Sequence, residues 1–450
     1  MAIDQQQTAN EGAISMPPRF RAPGWAFAIL FVASPRASMH ALQRRYGDAY
    51  TVQLPSIGKA VVVSDPALVK QVLSAKNDVL HNGDPHPLTS VLGHGSMFAL
   101  EEDRHTKERR LISPSFRGDR MRSYREIIVA EARREMRDWP EGKPFATLDP
   151  FMRITLAAIL RAVFGAEGEH FDELKRDLPR AVELGSKLAP LPGLHKDWGP
   201  LSPWTKFLKL RDHCYEVLGE MVDEAGADPD LANRADVLAS LVQSSYDDGT
   251  RMTRRDILDE LMTMLAAGHE TTASSLAWMI ERLQRHPELL ARLVEEAEGE
   301  ESTLRMATIL ELQRVRPIIP AFFRRVMTPF ALGDWVLPRG TNIVVSTTNL
   351  HRDERNYERP EEFDPDRFLA RKAPESTKWT PFGGGVRRCI GEGFAMMEMD
   401  LVLREILRNF EITVSTEAAE KTYNRGIALV PRRGGRVTVR RKPAAAEALG

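Results

Sequence analysis

Cysteine and long hydrophobic runs are nearly absent from this sequence, and each absence excludes a class of protein. Two cysteines, Cys214 and Cys389, occur in 450 residues, which excludes a disulfide framework and favours a reducing compartment. The one strong apolar run, Trp25 to Ala33, has nine residues, whereas a helix that spans a membrane needs about 20. We therefore expect a cytoplasmic protein with no transmembrane anchor.

The sequence also lacks an excess of either charge and any internal repeat. Its 62 lysines and arginines balance 63 aspartates and glutamates, so no overall charge draws it to nucleic acid or to an anionic membrane. No repeat or Ser/Gly linker interrupts residues 40–435. We expect a monomer with a single domain at residues 21–440, between a flexible N-terminus at residues 1–20 and a flexible tail at residues 441–450.

One of the two cysteines lies in an unusual segment, Phe382 to Gly391, which reads FGGGVRRCIG. Three glycines allow positive φ angles and let the backbone approach a flat ligand. Backbone N–H groups there can point at the sulfur of Cys389 and tune a metal that it binds. Arg387 could pair with a cofactor carboxylate. Taken alone, the cysteine could equally be a small buried apolar residue.

The segment closely resembles the haem-binding signature of the cytochrome P-450 superfamily, Phe-x-x-Gly-x-Arg-x-Cys-x-Gly. The resemblance implies a soluble bacterial type of haem-thiolate enzyme, with haem b (iron protoporphyrin IX) as its cofactor and Cys389 as the axial ligand of the iron. The five fixed positions, which it implies bind the cofactor, are Phe382, Gly385, Arg387, Cys389 and Gly391.

A long helix is predicted upstream of this segment. Thr253 and Asp256 form a capping-box pattern, and no proline follows until Pro287. Gly268 and the two threonines that follow at 271 and 272 weaken the middle of the helix. These residues indicate either a kink filled by packing or a local groove.

The middle of this helix, Ala267 to Thr272, resembles the oxygen-binding segment of the cytochromes P-450. The resemblance implies that Glu270 and Thr271 are catalytic, because cleaving bound dioxygen needs two protons delivered in a largely dry pocket by a carboxylate and an alcohol. Glutamate replaces the aspartate of the motif here, which the family tolerates.

A third motif pairs Glu311 with Arg314 on one helix face. Alone, such a pair would be an ordinary surface salt bridge worth about 0–1 kcal/mol. It resembles the Glu-x-x-Arg helix of the superfamily, and the later Pro365-Asp-Arg367-Phe368 resembles the segment whose arginine joins the pair. The resemblance implies a structural triad of Glu311, Arg314 and Arg367 that locks the cysteine loop.

Haem propionates need cations, and the resemblance implies two arginines and a histidine in addition to the arginine of the signature. His105 and Arg109 lie four residues apart and share a helix face. Arg324 stands where the family places a strand arginine, although the neighbouring Arg325 is a rival. Glu102 occupies a position where the family commonly has glycine, which is a departure from the pattern.

The overall pattern is mainly helical. Short strands are predicted at residues 50–54, 60–63 and 341–346, and an apolar stripe at helical spacing follows the cysteine, from Ala395 to Phe410. The resemblance implies a mainly α cytochrome P-450 fold with small β-sheets, in which the long central helix lies over the haem and the cysteine loop lies beneath it.

The implied function is monooxygenation, the insertion of one oxygen atom from O2 into a small apolar organic substrate such as a fatty acid, terpenoid, steroid or polyketide. The loop at residues 190–204 could act as a lid. The residues implied to line the substrate pocket could equally belong to the core: Ala267, Ile319, Phe322, Phe323, Ile427 and Ala428.

About sixty residues follow the haem segment, fewer than the roughly 100 of an ordinary domain, so we expect a separate electron donor. A ferredoxin or flavodoxin with its NAD(P)H-linked reductase would supply electrons. Its docking surface is predicted at six cations on the cysteine face: Lys107, Arg110, Arg117, Arg371, Lys372 and Arg388.

Two other functions use the same thiolate. A peroxide-using peroxygenase or a haem-thiolate isomerase is disfavoured by the acid and alcohol pair, which relatives that take peroxide usually lack. A non-enzymatic haem sensor or carrier would need neither the pair nor an open distal site. Consumption of reduced nicotinamide that depends on dioxygen would distinguish the three.

Overall fold

A computed structural model describes residues 14–21, 35–54, 58–83, 86, 88–165, 168–369 and 374–443. It shows the predicted class, a mainly α-helical fold with small β-sheets. The helices of the described residues are α1 Pro35–Tyr46, α2 Pro66–Ser74, α3 Thr89–Leu92, α4 Glu102–Ile112, α5 Asp119–Met136, α6 Leu148–Phe164, α7 Glu169–Leu188, α8 Pro203–Ala227, α9 Val237–Gln243, α10 Arg254–Leu283, α11 Pro287–Glu298, α12 Thr303–Val315, α13 Thr347–Leu350, α14 Asp366–Leu369 and α15 Glu392–Asn409.

The strands are short. They are β1 Ala49–Leu54, β2 Gly58–Val63, β3 Leu80–His81, β4 Phe145–Ala146, β5 Phe322–Val326, β6 Phe330–Leu332, β7 Trp335–Leu337, β8 Asn342–Val345, β9 Phe410–Ile412, β10 Thr422–Asn424, β11 Leu429–Pro431, β12 Arg436–Val437 and β13 Val439–Arg441. The largest sheet has the order β1-β2-β8-β5-β3, and the other strands form antiparallel pairs. The three predicted strands lie together in the largest sheet as β1, β2 and β8.

The central helix, α10, begins where its cap was predicted. The Thr253 hydroxyl oxygen accepts the N–H of Asp256 at 3.1 Å and donates to the Asp256 carboxylate at 2.7 Å, which satisfies groups that a helix terminus leaves unpaired. The helix ends at Leu283, three residues before the predicted end, and Pro287 starts α11 instead. Proline suits the first turn because its missing N–H has no partner there.

Gly268 brings α10 close to α6. A Cβ on this residue would lie 3.2 Å from Cγ1 of Ile159, so a larger side chain would push the helices apart. The helix remains continuous here, and the Thr155 hydroxyl donates to the carbonyl of His269 at 2.9 Å. Ala267, by contrast, is exposed on the other side of the same turn. Gly268 therefore serves the packing of α10 against α6, while the adjacent Ala267 remains exposed.

The main hydrophobic cluster surrounds α10 and includes side chains of α5, α6, α8 and α15. Phe151 of α6, Trp278 of α10 and Val402 of α15 are almost completely buried in it. Each such side chain contributes about 1.5–3 kcal/mol through burial. This core fixes α10 relative to α15, and thus relative to the loop that precedes α15.

Several expectations concern residues that the structure describes only in part. Four parts of the chain that carry expectations lie outside the described residues: residues 1–13, the apolar run within residues 22–34, Arg371 with Lys372, and the tail from residue 444. Of the proposed flexible N-terminus, the stretch 15–20 makes backbone hydrogen bonds to β1 and β7. Among the described residues, no helix is both long and apolar enough to cross a bilayer.

Candidate functional site

The cysteine segment folds as a tight loop that leads into α15. The Cys389 N–H donates to the Phe382 carbonyl at 3.0 Å, and the Arg388 N–H donates to the Gly385 carbonyl at 3.1 Å. Gly385 has a φ of 65°, and a Cβ there would collide with the carbonyl oxygen of Leu73 in α2. Both the backbone conformation and this close approach therefore require glycine at position 385.

Replacing Gly385 with alanine should lower the free energy of unfolding by about 2 kcal/mol, because the new Cβ strains the backbone and displaces α2. Urea denaturation followed by circular dichroism measures this change. Gly393→Ala is the control, since a Cβ there meets nothing closer than 3.9 Å. Equal stability of the two variants would contradict the steric role given to Gly385.

The Cys389 side chain is exposed on one side and enclosed by its own loop on the others. Enclosure raises the pKa of its thiol, whereas the N–H of Gly391 and the guanidinium groups of Arg109 and Arg388 oppose that rise by favouring the thiolate. The loop thus exposes the Cys389 sulfur on one side and surrounds it with hydrogen-bond donors and cations that favour its thiolate form.

Four cationic or basic side chains gather beside this loop, from three different elements. His105 and Arg109 come from α4, Arg324 from β5 and Arg387 from the loop itself. Burial and the neighbouring Arg387 lower the pKa of Arg324 to about 10, and burial lowers the pKa of His105 to about 3. In the described part of the chain, the carboxylate that pairs with this cluster is Glu101, which contacts Arg387.

This cluster carries more positive charge than its protein partners neutralise. Arg387 Nε and His105 Nδ1 are buried and have no hydrogen-bond partner among the described residues. Arg325 lies on the opposite face of β5, since successive side chains alternate along a strand. Arg324 is therefore the strand arginine that faces the cluster. The arrangement suits a ligand that brings two carboxylates.

The predicted acid and alcohol, Glu270 and Thr271, lie in the middle of α10, within one turn of the exposed Ala267. The Thr271 hydroxyl donates to the Ala267 carbonyl at 2.9 Å, while Glu270 is 4% exposed. Burial raises the pKa of Glu270 to about 7 although Arg425 opposes the rise. A buried carboxyl group that is half protonated near neutral pH is suited to donate and accept protons.

Glu311, Arg314 and Arg367 form a buried ion-pair network. Arg314 binds both carboxylate oxygens of Glu311 at 2.7 Å, and Arg367 Nε lies 3.1 Å from Glu311. Both Glu311 and Arg314 are completely buried. The remaining donors of Arg314 bind the carbonyls of His351, Pro360 and Glu362. The charges are thus paired and fully hydrogen-bonded, as burial requires.

His351 connects this network to the cysteine loop, a contact that the sequence did not predict. Its Nδ1 bonds to the Arg314 carbonyl at 3.1 Å, and its Nε2 accepts the N–H of Thr380 at 2.9 Å. These bonds require a neutral ring with its proton on Nδ1. Burial lowers the pKa of His351 to about 3, which keeps the ring neutral. Thr380 is two residues before Phe382.

Comparison with known proteins agrees with this geometry. The sequence profile of the family "Cytochrome P450" matches residues 17–439. "Putative cytochrome P450 138" of Mycobacterium tuberculosis is 46% identical over 430 residues, which cover 95% of this chain and 97% of that protein. "Putative cytochrome P450 137" of the same species is 36% identical over 438 residues, 95% of this chain and 92% of that one. The chain belongs to the cytochrome P-450 family.

Solved structures of other cytochromes P-450 share the fold. A structure described as "Retinoic acid bound cyanobacterial CYP120A1" superposes with a TM-score of 0.84 at 19% identity and covers 96% of this chain and 100% of that one. The "cytochrome P450DA heme domain" gives 0.82 at 22% identity, over 96% of this chain and 100% of that chain. The family match and the relatives at 46% and 36% identity make this protein a P-450 monooxygenase with a haem cofactor, and the solved structures show its fold.

The residues of this P-450 fit a haem. The cluster of Arg109, Arg324, Arg387 and His105 offers unpaired donors to its two propionates, and the glycines of the cysteine loop leave no side chains in the way of a flat ring. Cys389 presents its sulfur on the open side of that loop. A thiolate ligand donates electron density to the iron, which favours cleavage of the O–O bond.

The six residues implied to line the substrate pocket have different surroundings. Ala267 is exposed, and Ile427 and Phe323 are each 38% exposed. Ile319 is half-buried against the main cluster, and Ala428 has no exposed surface. Phe322 shares its strand face with Arg324, and the Arg324 guanidinium lies 5.2 Å from its ring centre. Along β5, Phe322 is thus nearer to the cationic cluster than Phe323.

Three of the six cations of the predicted docking surface are paired within the protein. Lys107 and Arg110 of α4 approach the aspartates at 248 and 247 to 3.1 and 3.5 Å. Arg388 pairs with Glu392, the first residue of α15. These pairs reduce the positive charge that a redox partner would meet on this face.

Sequence reasoning missed several residues that contact the site. Glu101 pairs with Arg387, and His86, whose pKa burial lowers to about 4, lies near the same cluster. Arg425 contacts Glu270, and Glu398 of α15 is completely buried beside Thr272. None has a local sequence signal, because each partner lies far away along the chain.

Proposed function

We propose that this P-450 inserts one oxygen atom from O2 into a C–H bond or double bond of a small apolar organic substrate. The observation that carries the proposal is the pairing, within one turn of α10, of a buried carboxyl group and a hydroxyl beside an exposed Ala267. A small apolar residue exposed in a buried helix leaves room for a ligand at that turn.

The roles proposed for the two polar residues follow from their surroundings. Glu270 would hold a proton on its carboxyl oxygen, since its pKa is raised to about 7. The Thr271 hydroxyl, which donates to the Ala267 carbonyl, keeps its oxygen lone pairs available as acceptors. Together they would hold protons and pass them toward the open side of this turn at Ala267, and the haem would supply the activation of O2. Burial of Glu270 limits the access of bulk water to its carboxyl group.

The substrate is proposed to be apolar because the exposed side chains among the pocket candidates are apolar. Ala267, Phe323 and Ile427 belong to this set. Chain segment 191–201, within the proposed lid, also exposes four large apolar side chains: Leu191, Leu194, Trp198 and Leu201. A fatty acid, terpenoid, steroid or polyketide matches this character.

The cofactor is proposed to be haem b, held without covalent bonds to the porphyrin. Covalent attachment of a c-type haem uses a Cys-x-x-Cys-His motif, and the full sequence has no such motif. Electrons are proposed to come from a separate ferredoxin or flavodoxin with an NAD(P)H-linked reductase, which would dock on the cysteine side of the protein.

Thr271→Ala tests the function. A panel of one fatty acid, terpenoid, steroid and aromatic polyketide is first titrated optically, and the compound that perturbs the haem spectrum is used as substrate. We expect the variant to consume reduced nicotinamide while product per nicotinamide falls by about tenfold or more, as for the loss of a positioned proton-transfer group.

Ser275→Ala is the matched control, because Ser275 lies one turn further along α10 and its hydroxyl donates to the Thr271 carbonyl at 3.0 Å. The control should keep the coupling of the parent enzyme. Tight coupling in Thr271→Ala would refute the role proposed for the hydroxyl.

A further inference from the structure

Arg425 lies between two carboxyl groups that belong to different helices. Its Nε is 3.3 Å from Glu270 Oε1 of α10, and its Nη2 is 2.8 Å from Glu183 Oε2 of α7. The Arg425 side chain is 21% exposed, whereas that of Glu270 is 5% exposed and that of Glu183 is 38% exposed. The arginine therefore connects a buried acid to an acid near the surface.

The turn between β10 and β11 holds Arg425 in this place. The Arg425 N–H donates to the Ala428 carbonyl at 3.0 Å. Gly426 has a φ of 126°, and a Cβ there would lie 2.7 Å from Cβ of Ser186, so the turn presses directly against α7. On the other side, the Trp278 indole N–H donates to the Leu429 carbonyl at 3.0 Å and fixes the hairpin to α10.

The contact with Glu270 is incomplete, whereas the contact with Glu183 is a hydrogen bond. Arg425 Nε and Glu270 Oε1 are both buried and have no hydrogen-bond partner among the described residues, although they are within ion-pair distance. Glu183 accepts from Arg425 and also from Lys187, at 2.6 Å. The guanidinium is thus shared, and Glu183 competes with Glu270 for it.

We propose that Arg425 is a positioning residue that sets how readily Glu270 releases its proton, and that Glu183 of α7 limits the hold of Arg425 on Glu270. The inference rests on the proton-donating role proposed above for Glu270. While Glu183 binds Arg425, the cation is drawn away from Glu270. Without the bond to Glu183, Arg425 would be free to bind Glu270 fully and stabilise its carboxylate form.

The charged groups that act on Glu270 are Arg425, Glu183 and Lys187. Two substitutions among them should move the pKa of Glu270 in opposite directions. Arg425→Met removes an opposite charge and should raise the pKa by about 1 unit or more. Glu183→Gln removes a like charge and frees Arg425, so it should lower the pKa. The double variant should follow Arg425→Met, because Glu183 acts mainly through the arginine.

Infrared difference titration of the ferric holoenzyme without substrate measures the pKa directly. The carboxyl band of Glu270 is identified by its loss in Glu270→Gln. Arg180→Met is the matched control, because Arg180 also lies on α7 but is 66% exposed and pairs with Asp177. It should leave the band unchanged, and Arg425→Lys should restore part of the parent value.

Shifts of the same sign in the two variants, or no shift in Arg425→Met, would overturn the proposal. If Arg425→Met fails to bind haem, Glu183→Gln and Arg425→Lys still decide the question. The proposed function fails separately: Glu270→Gln would then leave the coupling of nicotinamide consumption to product unchanged, even where the titration shows that Arg425 controls the pKa of Glu270.

Discussion

Replacing Cys389 with serine should abolish the red-shifted Soret absorbance of the reduced, carbon monoxide-treated protein. The shift depends on a thiolate that donates electron density to the iron, and a serine hydroxyl does not replace it. We also expect monooxygenase activity to fall by at least about a thousandfold, since cleavage of the O–O bond relies on the same donation. Optical spectroscopy of the reduced protein measures the first effect, and product formation measures the second.

Cys214→Ser is the matched control, because the chain has only these two cysteines. Cys214 is buried in α8, and burial raises the pKa of its thiol to about 12, so it is an inert apolar side chain. The control protein should keep the parent spectrum. A parent-like spectrum in Cys389→Ser would refute sulfur ligation at position 389 and, with it, every role assigned around the cysteine loop.

Those parts of the fold that depend on local signals could be predicted from the sequence. The cap at Thr253 and the short runs of β-branched and aromatic residues in β1, β2 and β8 depend on residues close together in the chain. The resemblance to the family brought Glu311, Arg314 and Arg367 into one expected cluster. The structure places all three in contact, which spacing alone could not have done.

The partners of the site residues could not be predicted, because they come from remote segments. Arg425 approaches Glu270 across about 150 positions of sequence, and it does so because Gly426 lets a turn press against α7. Two of the cations predicted to form a docking surface, Lys107 and Arg110, approach aspartates of a distant loop. A count of cations in one sequence segment therefore overestimates the positive charge of the folded surface, because it omits anions that come from remote segments.

Glu102 departs from the family pattern at a position where the backbone conformation favours glycine. The family commonly has glycine at this position, and Glu102 has a φ of 49°, a left-handed conformation that glycine adopts without strain. The Glu102 carboxylate lies 2.9 Å from His81 Nε2. Its backbone carbonyl accepts a hydrogen bond from the side-chain amide of Asn77. These contacts offset the conformational cost and place α4, and hence His105, against the cationic cluster.

Arg314→Met should be the most destabilising single substitution in the ion-pair network. It removes a completely buried cation and leaves the buried Glu311 carboxylate with fewer partners, together with three carbonyls that lose their donor. Breaking a buried pair in this way costs about 3–5 kcal/mol. The loss should also reach the cysteine loop, because His351 joins the Arg314 carbonyl to Thr380.

Urea denaturation followed through the Soret band measures both consequences, because haem release and loss of thiolate ligation accompany loosening of the loop. The matched control is Arg292→Met, whose guanidinium makes a bidentate pair with Asp366 on the surface. Exposed pairs contribute about 0–1 kcal/mol, so the control should unfold at nearly the parent urea concentration. If both variants unfolded at the same midpoint, the buried network would contribute no more than a surface pair, and its proposed role in locking the cysteine loop would be wrong.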